Sequence, residues 1–341
     1  MASEFDAAFS QTFDEQMEKM NQSLEQDVLF ALIGDINTGK STTINALFGA
    51  DVAPTSGLPG KTVQIKKYSY KKHIKFVDTP GLNDIVQAHS NETTDFYKEA
   101  DVVLFFLNAA GTVLSDTEAK ELEKLAKINK DILIVLNKVD IADDVPSLLH
   151  YIQEKTNFRF NVIPLSSKTG FNIGELEDNI ADILQKKNKE LQFAKALSDK
   201  SRIANKWINR SSLAAASAGA IPVPGSDIVP ITAVQVGLMI KLAKLYDKTI
   251  TKDRAKELIV TNLVSNIGRT AFRQLSKFVP GWGSAISAGV AGSLTWSLGK
   301  AIKKIYEKGL DLNVETLVHY TKKYKAERDA AKKESTKTPS S

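Results

Sequence analysis

The stretch Gly34-Asp35-Ile36-Asn37-Thr38-Gly39-Lys40-Ser41 decides the fold of the first half of this chain. It follows Val28 to Ile33, a short apolar run suited to a fully buried parallel strand. Its spacing matches G-x-x-x-x-G-K-[ST], a loop that wraps a phosphate. Successive backbone N–H groups must point inward there, and a side chain at Gly39 would block the approach. Lys40 supplies a point charge for β- and γ-phosphates, and Ser41 a hydroxyl for Mg²⁺. Thr42 to Phe48 reads as a helix whose positive N-terminus faces the phosphates, with Asn37, Thr38 and Thr42 in the same cradle.

Further motifs follow in a fixed order. Asp78-Thr79-Pro80-Gly81 comes after the apolar run Ile74 to Val77, so Asp78 stands at a strand end where a carboxylate helps hold Mg²⁺. Gly81 leaves the backbone free to approach a γ-phosphate. Alone, this tetrapeptide is only a good turn sequence. Thr62, in Pro59-Gly60-Lys61-Thr62, has a hydroxyl that would reach Mg²⁺ and the γ-phosphate only with a triphosphate bound, which makes residues 50–62 a candidate order–disorder switch. Thr55 is the second candidate for that role. The apolar run Ile132 to Leu136 ends in Asn137-Lys138-Val139-Asp140. Asp140 can accept the N1–H and N2–H₂ of guanine, whereas adenine would leave a carboxylate unpaired. Lys138 can lie along the base and Asn137 can brace the loops. Val162 to Leu165 leads into Ser166-Ser167-Lys168, whose backbone can contact the base oxygen.

On these motifs, residues 27–187 resemble the translation-factor class of P-loop GTPases, closest to the Era and MnmE branch. The resemblance implies an α/β domain, a mostly parallel sheet with helices on both faces, that hydrolyses GTP to GDP with Mg²⁺. Lys40, Thr62 and Gly81 would serve catalysis. Asn37 stands where this branch reads Gly-x-x-Asn-x-Gly-Lys-Ser, and in potassium-stimulated members that asparagine helps bind K⁺. Leu82 occupies the position that is a water-orienting glutamine in Ras-like proteins, so slow intrinsic hydrolysis is expected. A monovalent ion, a second such domain in a homodimer, or a partner would complete the site. Asn83 and His89 share that loop and read as ordinary solvated residues.

Charge divides the chain of 341 residues. Residues 1–185 hold 17 Lys and Arg against 28 Asp and Glu, net −11, and residues 186–341 hold 28 against 12, net +16, which together make the overall +5. A strongly basic second half suits an anionic partner such as lipid headgroups or RNA, although many lysines simply solvate helices. Cysteine is absent, which excludes disulfides and thiol catalysis and fits a reducing compartment. Phe5, Phe9, Phe13, Met17 and Met20 place one apolar face on a helix within residues 1–26. That segment lacks the basic start and apolar core of a signal peptide, and it is expected to pack on the C-terminal helices.

After Gln185 the patterns are helical, giving an expected all-α basic domain over 188–321 and a flexible basic tail over 322–341. Ser211 to Ile240 carries one charge, Asp227, and Phe278 to Gly299 none. Val223-Pro224-Gly225 and Val279-Pro280-Gly281 recur 56 residues apart, each followed by an apolar run closing in lysines and a tyrosine (Tyr246, Tyr306), a weak repeat of two helical hairpins. The helix after Pro230 has ten uncharged residues, too few for a span of roughly 20. The second run is long enough, with small residues at Ser284, Ala288 and Gly292 or Ala285, Gly289 and Ser293 that allow close packing in a membrane or in a soluble core. Ile221-Pro222-Val223-Pro224-Gly225-Ser226-Asp227 resembles the YcjF-like helical domain of bacteria. The plan of helix, GTPase and helical domain is similar to immunity-related and dynamin-like GTPases, which implies nucleotide-dependent self-association and membrane contact.

The leading expectation is a cytoplasmic nucleotide switch, peripheral at the membrane, controlling membrane association or self-association of its basic helical domain. An Era-like RNA- or ribosome-associated GTPase is the alternative, disfavoured because the Gly-x-x-Gly sequence of the second half, Gly289 to Gly292, is apolar and lies in a helical run. A GTP-binding scaffold with negligible turnover is the third.

Overall fold

The computed structural model describes residues 2–49, 52, 66–78, 91–220, 228–267 and 288–335. The chain divides into two compact units, Ser23–Lys200 and the combination of Met1–Gln22 with Ser201–Ser341. The first described helix, α1 (Ala2–Glu25), contributes its larger part to the latter.

Six strands form one sheet in the first unit: β1 (Val28–Ile33), β2 (Lys66–Tyr70), β3 (Ile74–Asp78), β4 (Val102–Asn108), β5 (Ile132–Asn137) and β6 (Asn161–Leu165). Their order is β2-β3-β1-β4-β5-β6, with β2 antiparallel to β3 and every other pair parallel. Helices α2 (Lys40–Phe48), α3 (Asn91–Glu99), α4 (Asp116–Ile128), α5 (Val145–Lys155), α6 (Ile173–Lys186) and α7 (Glu190–Ala196) flank it. The central strands are almost wholly apolar because both faces are covered, the usual consequence of parallel crossovers. On one face Ile33, Phe105, Leu107 and Leu136 pack with Leu122 and Leu125 of α4. On the other, Phe30 stacks on Phe76 at 5.3 Å, and Phe48 of α2 and Phe193 of α7 each lie 6.0 Å from an aromatic neighbour in that cluster.

Phe193 moves the domain boundary. The sequence patterns place the end of the first domain at 187, but Phe193 is fully buried against Phe30 and Phe48 within this sheet unit. Lys189 adds an ion pair, its Nζ 2.9 and 2.7 Å from the two carboxylate oxygens of Asp101, which also accepts from Leu29 N at 2.9 Å. The first unit therefore runs to Lys200.

The second unit contains α8 (Ser201–Ala220), α9 (Ile228–Leu245), α10 (Lys252–Ile267), α11 (Ala288–Glu307) and α12 (Val314–Ser335), and no strand among the described residues. Helices α8 and α11 run antiparallel in close contact, made possible by two glycines. A Cβ on Gly292 would come within 3.0 Å of the Ser212 carbonyl, and one on Gly299 within 2.8 Å of Ile208. Ser212 Oγ donates to Gly292 O at 2.7 Å. Trp207, Ile208, Leu242, Leu298 and Ile302 fill the interior. Phe9 and Phe13 of α1 are buried, while Lys252 reaches Asp14 at 2.6 Å and Lys256 reaches Asp6 at 2.7 Å.

One expectation changes in this unit. The segment from 322, expected as a flexible tail, is helical through Ser335, with Tyr324 edge-on to Trp296 and Arg328 stacked over the Trp296 ring. Among the described residues no helix is long and apolar enough to cross a membrane. Both Pro-Gly motifs, with Ser284 and Ala285, lie outside the described residues. The closing tyrosines of the repeat, Tyr246 and Tyr306, pack together at 6.0 Å.

Candidate functional site

The site is assembled at the C-terminal edge of the parallel strands, where open α/β sheets bind ligands. β1 delivers Gly34, and the loop to α2 turns through three positive-φ residues, Gly34 (149°), Asn37 (65°) and Gly39 (91°). Two of these positions tolerate only glycine. A Cβ on Gly34 would come 2.6 Å from the Phe106 carbonyl, and one on Gly39 would come 2.1 Å from Asn137 Nδ2. Thr38 holds the turn, its Oγ1 donating to Asp35 O at 2.8 Å. Lys40 Nζ donates to Gly34 O at 2.7 Å and Asp35 O at 3.3 Å, which places its ammonium inside the curl of the loop. Lys40 begins α2, so the loop leads into a helix N-terminus, whose dipole favours an anion. Thr43 Oγ1 back-bonds to Gly39 O at 2.9 Å, while Ser41 is half-buried and Asn37 and Thr42 are exposed.

Asn137 joins the loop after β1 to the loops after β5 and β6. It is fully buried at the end of β5, and its Nδ2 donates to Thr38 O at 2.8 Å and Ser167 Oγ at 3.2 Å. Its Oδ1 accepts from Ser167 N at 3.1 Å. Lys138 adopts φ 67°, which turns the chain into the short 3-10 helix Val139–Ile141 and leaves the Asp140 side chain exposed. Ser166 is buried and organises the next loop, accepting from Thr169 N at 3.2 Å, and Lys168 is exposed beside it.

Asp78 closes β3 in register with Leu32 of β1, so its backbone stands at the same sheet edge as the phosphate loop. Thr62 and Gly81, with Thr55, Leu82, Asn83 and His89, lie outside the described residues. Two contributors escape the motifs. Phe106 walls the loop behind Gly34, and Asn108 ends β4 directly beside Asn137, where Ala109 N donates to Asn137 O at 2.8 Å. A polar residue ending an apolar strand was the available signal for Asn108. Glu118 closes a capping box with Ser115 at the start of α4; burial raises its carboxyl above the usual range, with the charge of Asp35 pushing the same way.

The donor set fits a nucleoside polyphosphate. A cradle that excludes side chains at Gly39, an ammonium within it and a carboxylate 3-10 helix joined to it through Asn137 meet the separate needs of phosphate and base. Residues 29–138 match the family described as 50S ribosome-binding GTPase. The first unit holds a P-loop GTPase domain. GTPase Era of Vibrio vulnificus is 31% identical over 170 residues, 46% of this chain and 51% of Era. The tRNA modification GTPase MnmE of Thermotoga maritima is 32% identical over 165 residues, 46% of this chain and 36% of MnmE. The chain thus spans about half of Era and about a third of MnmE. Among solved structures, the G domain of the T. maritima FeoB iron transporter aligns with TM-score 0.34 at 24% identity, over 47% of this chain and all of that domain.

Proposed function

We propose that this chain binds and hydrolyses GTP, and that the bound nucleotide controls the engagement of its basic helical unit with an anionic membrane surface or with a second copy. The observation that carries the nucleotide reading is the double tie of Asn137 to Thr38 and Ser167, which makes phosphate loop and base loops one rigid pocket. The loop N–H groups and Lys40 bind the phosphates, and Asp140 pairs with the two N–H donors of guanine. Ser41, Asp78 and Thr62 would hold Mg²⁺, and Asn37 would help hold K⁺ beside the phosphates. A bound cation would supply charge neutralisation at the phosphates. Gly81 lets the backbone approach the γ-phosphate, and Leu82 beside it offers no group to polarise water, so turnover is slow without a monovalent ion or partner. The cytoplasm, with the chain peripheral at the membrane, is the compartment that suits GTP supply and a protein without cysteine.

Support for the membrane arm is the charge partition, net +16 over residues 186–341 against net −11 before. Multiple-turnover phosphate release in KCl tests the enzyme reading. Wild type should turn over GTP, faster in KCl than in NaCl, and Lys40→Ala should not. Turnover surviving Lys40→Ala would reject it. Co-sedimentation with anionic and neutral liposomes in GDP and a non-hydrolysable GTP analogue tests the membrane arm separately.

A further inference from the structure

The helix register of the second unit sorts its charges along the bundle. Gly292 of α11 faces Ser212 and Ala216 of α8, Trp296 meets Asn209, and Lys300 meets Asn205, so the two helices run antiparallel. Gln235 of α9 bonds Thr295 and Tyr246 packs on Tyr306, so α9 runs parallel to α11. The end of α8 and the starts of α9 and α11 therefore share one end of the bundle, where Ala218, Ile231 and Ala291 form a small cluster of their own. Sequence and register now coincide. Ser211–Ala220 of α8, Ile228–Ile240 of α9 and Ala288–Gly299 of α11 carry no charged residue. On each helix the first charge beyond is basic: Arg210, Lys241 and Lys300.

This arrangement has the dimensions of one leaflet. Ten to thirteen helical residues rise about 15–20 Å, against about 15 Å for half of a hydrocarbon core about 30 Å thick. At the border stands Trp296, its Nε1 donating to Asn209 Oδ1 at 3.1 Å, with Lys300 and Arg328 5.4 and 5.0 Å from its ring and Tyr324 edge-on. Indole, phenol and cationic groups at such a border are the chemistry of a headgroup region. Burial of Lys300 and repulsion from Lys303 lower its pKa, a strain that an anionic headgroup would relieve. Two large apolar side chains of this end face outward, Leu213 at 70% and Val290 at 40% exposed, while its interior holds the buried polar pair Gln235 and Thr295 beside Val236, Met239, Leu294 and Leu298.

Resting on the membrane arm of the proposed function, we infer that these uncharged helical stretches insert into a single leaflet of an anionic bilayer, with Arg210, Lys241, Lys300 and Arg328 as their headgroup collar and Asp227, the one charge between α8 and α9, kept neutral or drawn to the headgroups. One element opposes insertion. α12 brings Arg328 alongside Gly292, whose carbonyl accepts from Nη1 at 3.3 Å, and continues with Asp329, Lys332 and Lys333. Among the described side chains of α12, the buried ones are Leu317 and Thr321. Tyr324 and Arg328 hold this helix to Trp296, and insertion would exchange the Arg328 contacts for a lipid phosphate.

The absence of cysteine makes the test clean. Leu213→Cys and Val290→Cys would each carry an environment-sensitive fluorophore, with Phe158→Cys on the first unit as control, and helicity measured for each. Vesicles of phosphatidylglycerol and phosphatidylcholine, with and without acyl-chain nitroxide quencher, are added in each nucleotide state. The expected result is a severalfold emission rise and strong quenching at 213 and 290, no change at 158, and none with pure phosphatidylcholine. Pelleting without a change at 213 and 290 would overturn the inference while leaving the membrane arm standing. No pelleting in any state would remove both and leave the GTPase reading untouched.

Discussion

Asn137 Nδ2 lies 2.8 Å from the Thr38 carbonyl, a hydrogen bond joining two residues 99 positions apart. Through it the end of β5 holds the phosphate loop in shape, and the same side chain fastens Ser167. Replacing Asn137 with alanine strands a buried carbonyl and an amide, a cost of about 1–3 kcal/mol per unsatisfied group. Asn137→Ala should therefore lower both the melting temperature of the first unit and its GDP affinity, the latter by roughly 10-fold or more at about 1.4 kcal/mol per decade. Calorimetric titration with GDP, beside thermal melts, checks both. Unchanged affinity would mean the loops are organised without this bond.

Phe193 should carry a comparable load on the opposite face of the sheet. Its ring is fully buried between Phe30 and Phe48, and truncating such a side chain costs about 3–5 kcal/mol. Phe193→Ala should destabilise the first unit by that amount in urea unfolding. A fragment ending at 187 should likewise be less stable than one spanning 23–200.

The glycine contacts of the helical unit predict a size limit. Gly292→Leu forces a side chain into the Ser212 backbone and Ala216, and overpacking of this kind costs about 1–3 kcal/mol. The melting temperature of the second unit should fall, while GDP affinity should not.

Asp27 gives a pH signature. Its carboxylate is held below the usual range, chiefly by its hydrogen bond to Lys75 and then by that to His73 Nδ1 at 3.0 Å. A depressed carboxyl contributes stability that is present above its unfolded pKa, about 3.9, and is lost as pH falls through the lower folded value. Asp27→Asn should be less stable than wild type at neutral pH, with the difference closing below about pH 4. An equal gap at pH 7 and at pH 3 would contradict this.

The GTPase domain was legible because its motifs are local. Gly39 and Lys40 must follow β1 at one spacing, and the Asn137–Asp140 run must follow β5. What stayed hidden depends on partners remote in sequence. Nothing near Glu190–Ala196 announces that Phe193 belongs with Phe30, because its Lys-rich approach reads as the start of the basic domain. The polar, lysine-rich segment after 322 looks frayed until Trp296 supplies a platform for Tyr324 and Arg328. Asn108 reads as the end of a strand, and only the register of β4 with β5 sets it beside Asn137.

The central claim is that a guanine base is read by Asp140 in a pocket that turns over its triphosphate. Xanthine carries a carbonyl where guanine carries its 2-amino group, so an amide at position 140 can donate to the first where a carboxylate accepts from the second. The decisive measurement is steady-state phosphate release by wild type and Asp140→Asn with GTP, XTP and ATP. Wild type should use GTP alone, and Asp140→Asn should lose GTP and gain XTP. Equal use of ATP and GTP by wild type, or an Asp140→Asn variant that still prefers GTP, would contradict it.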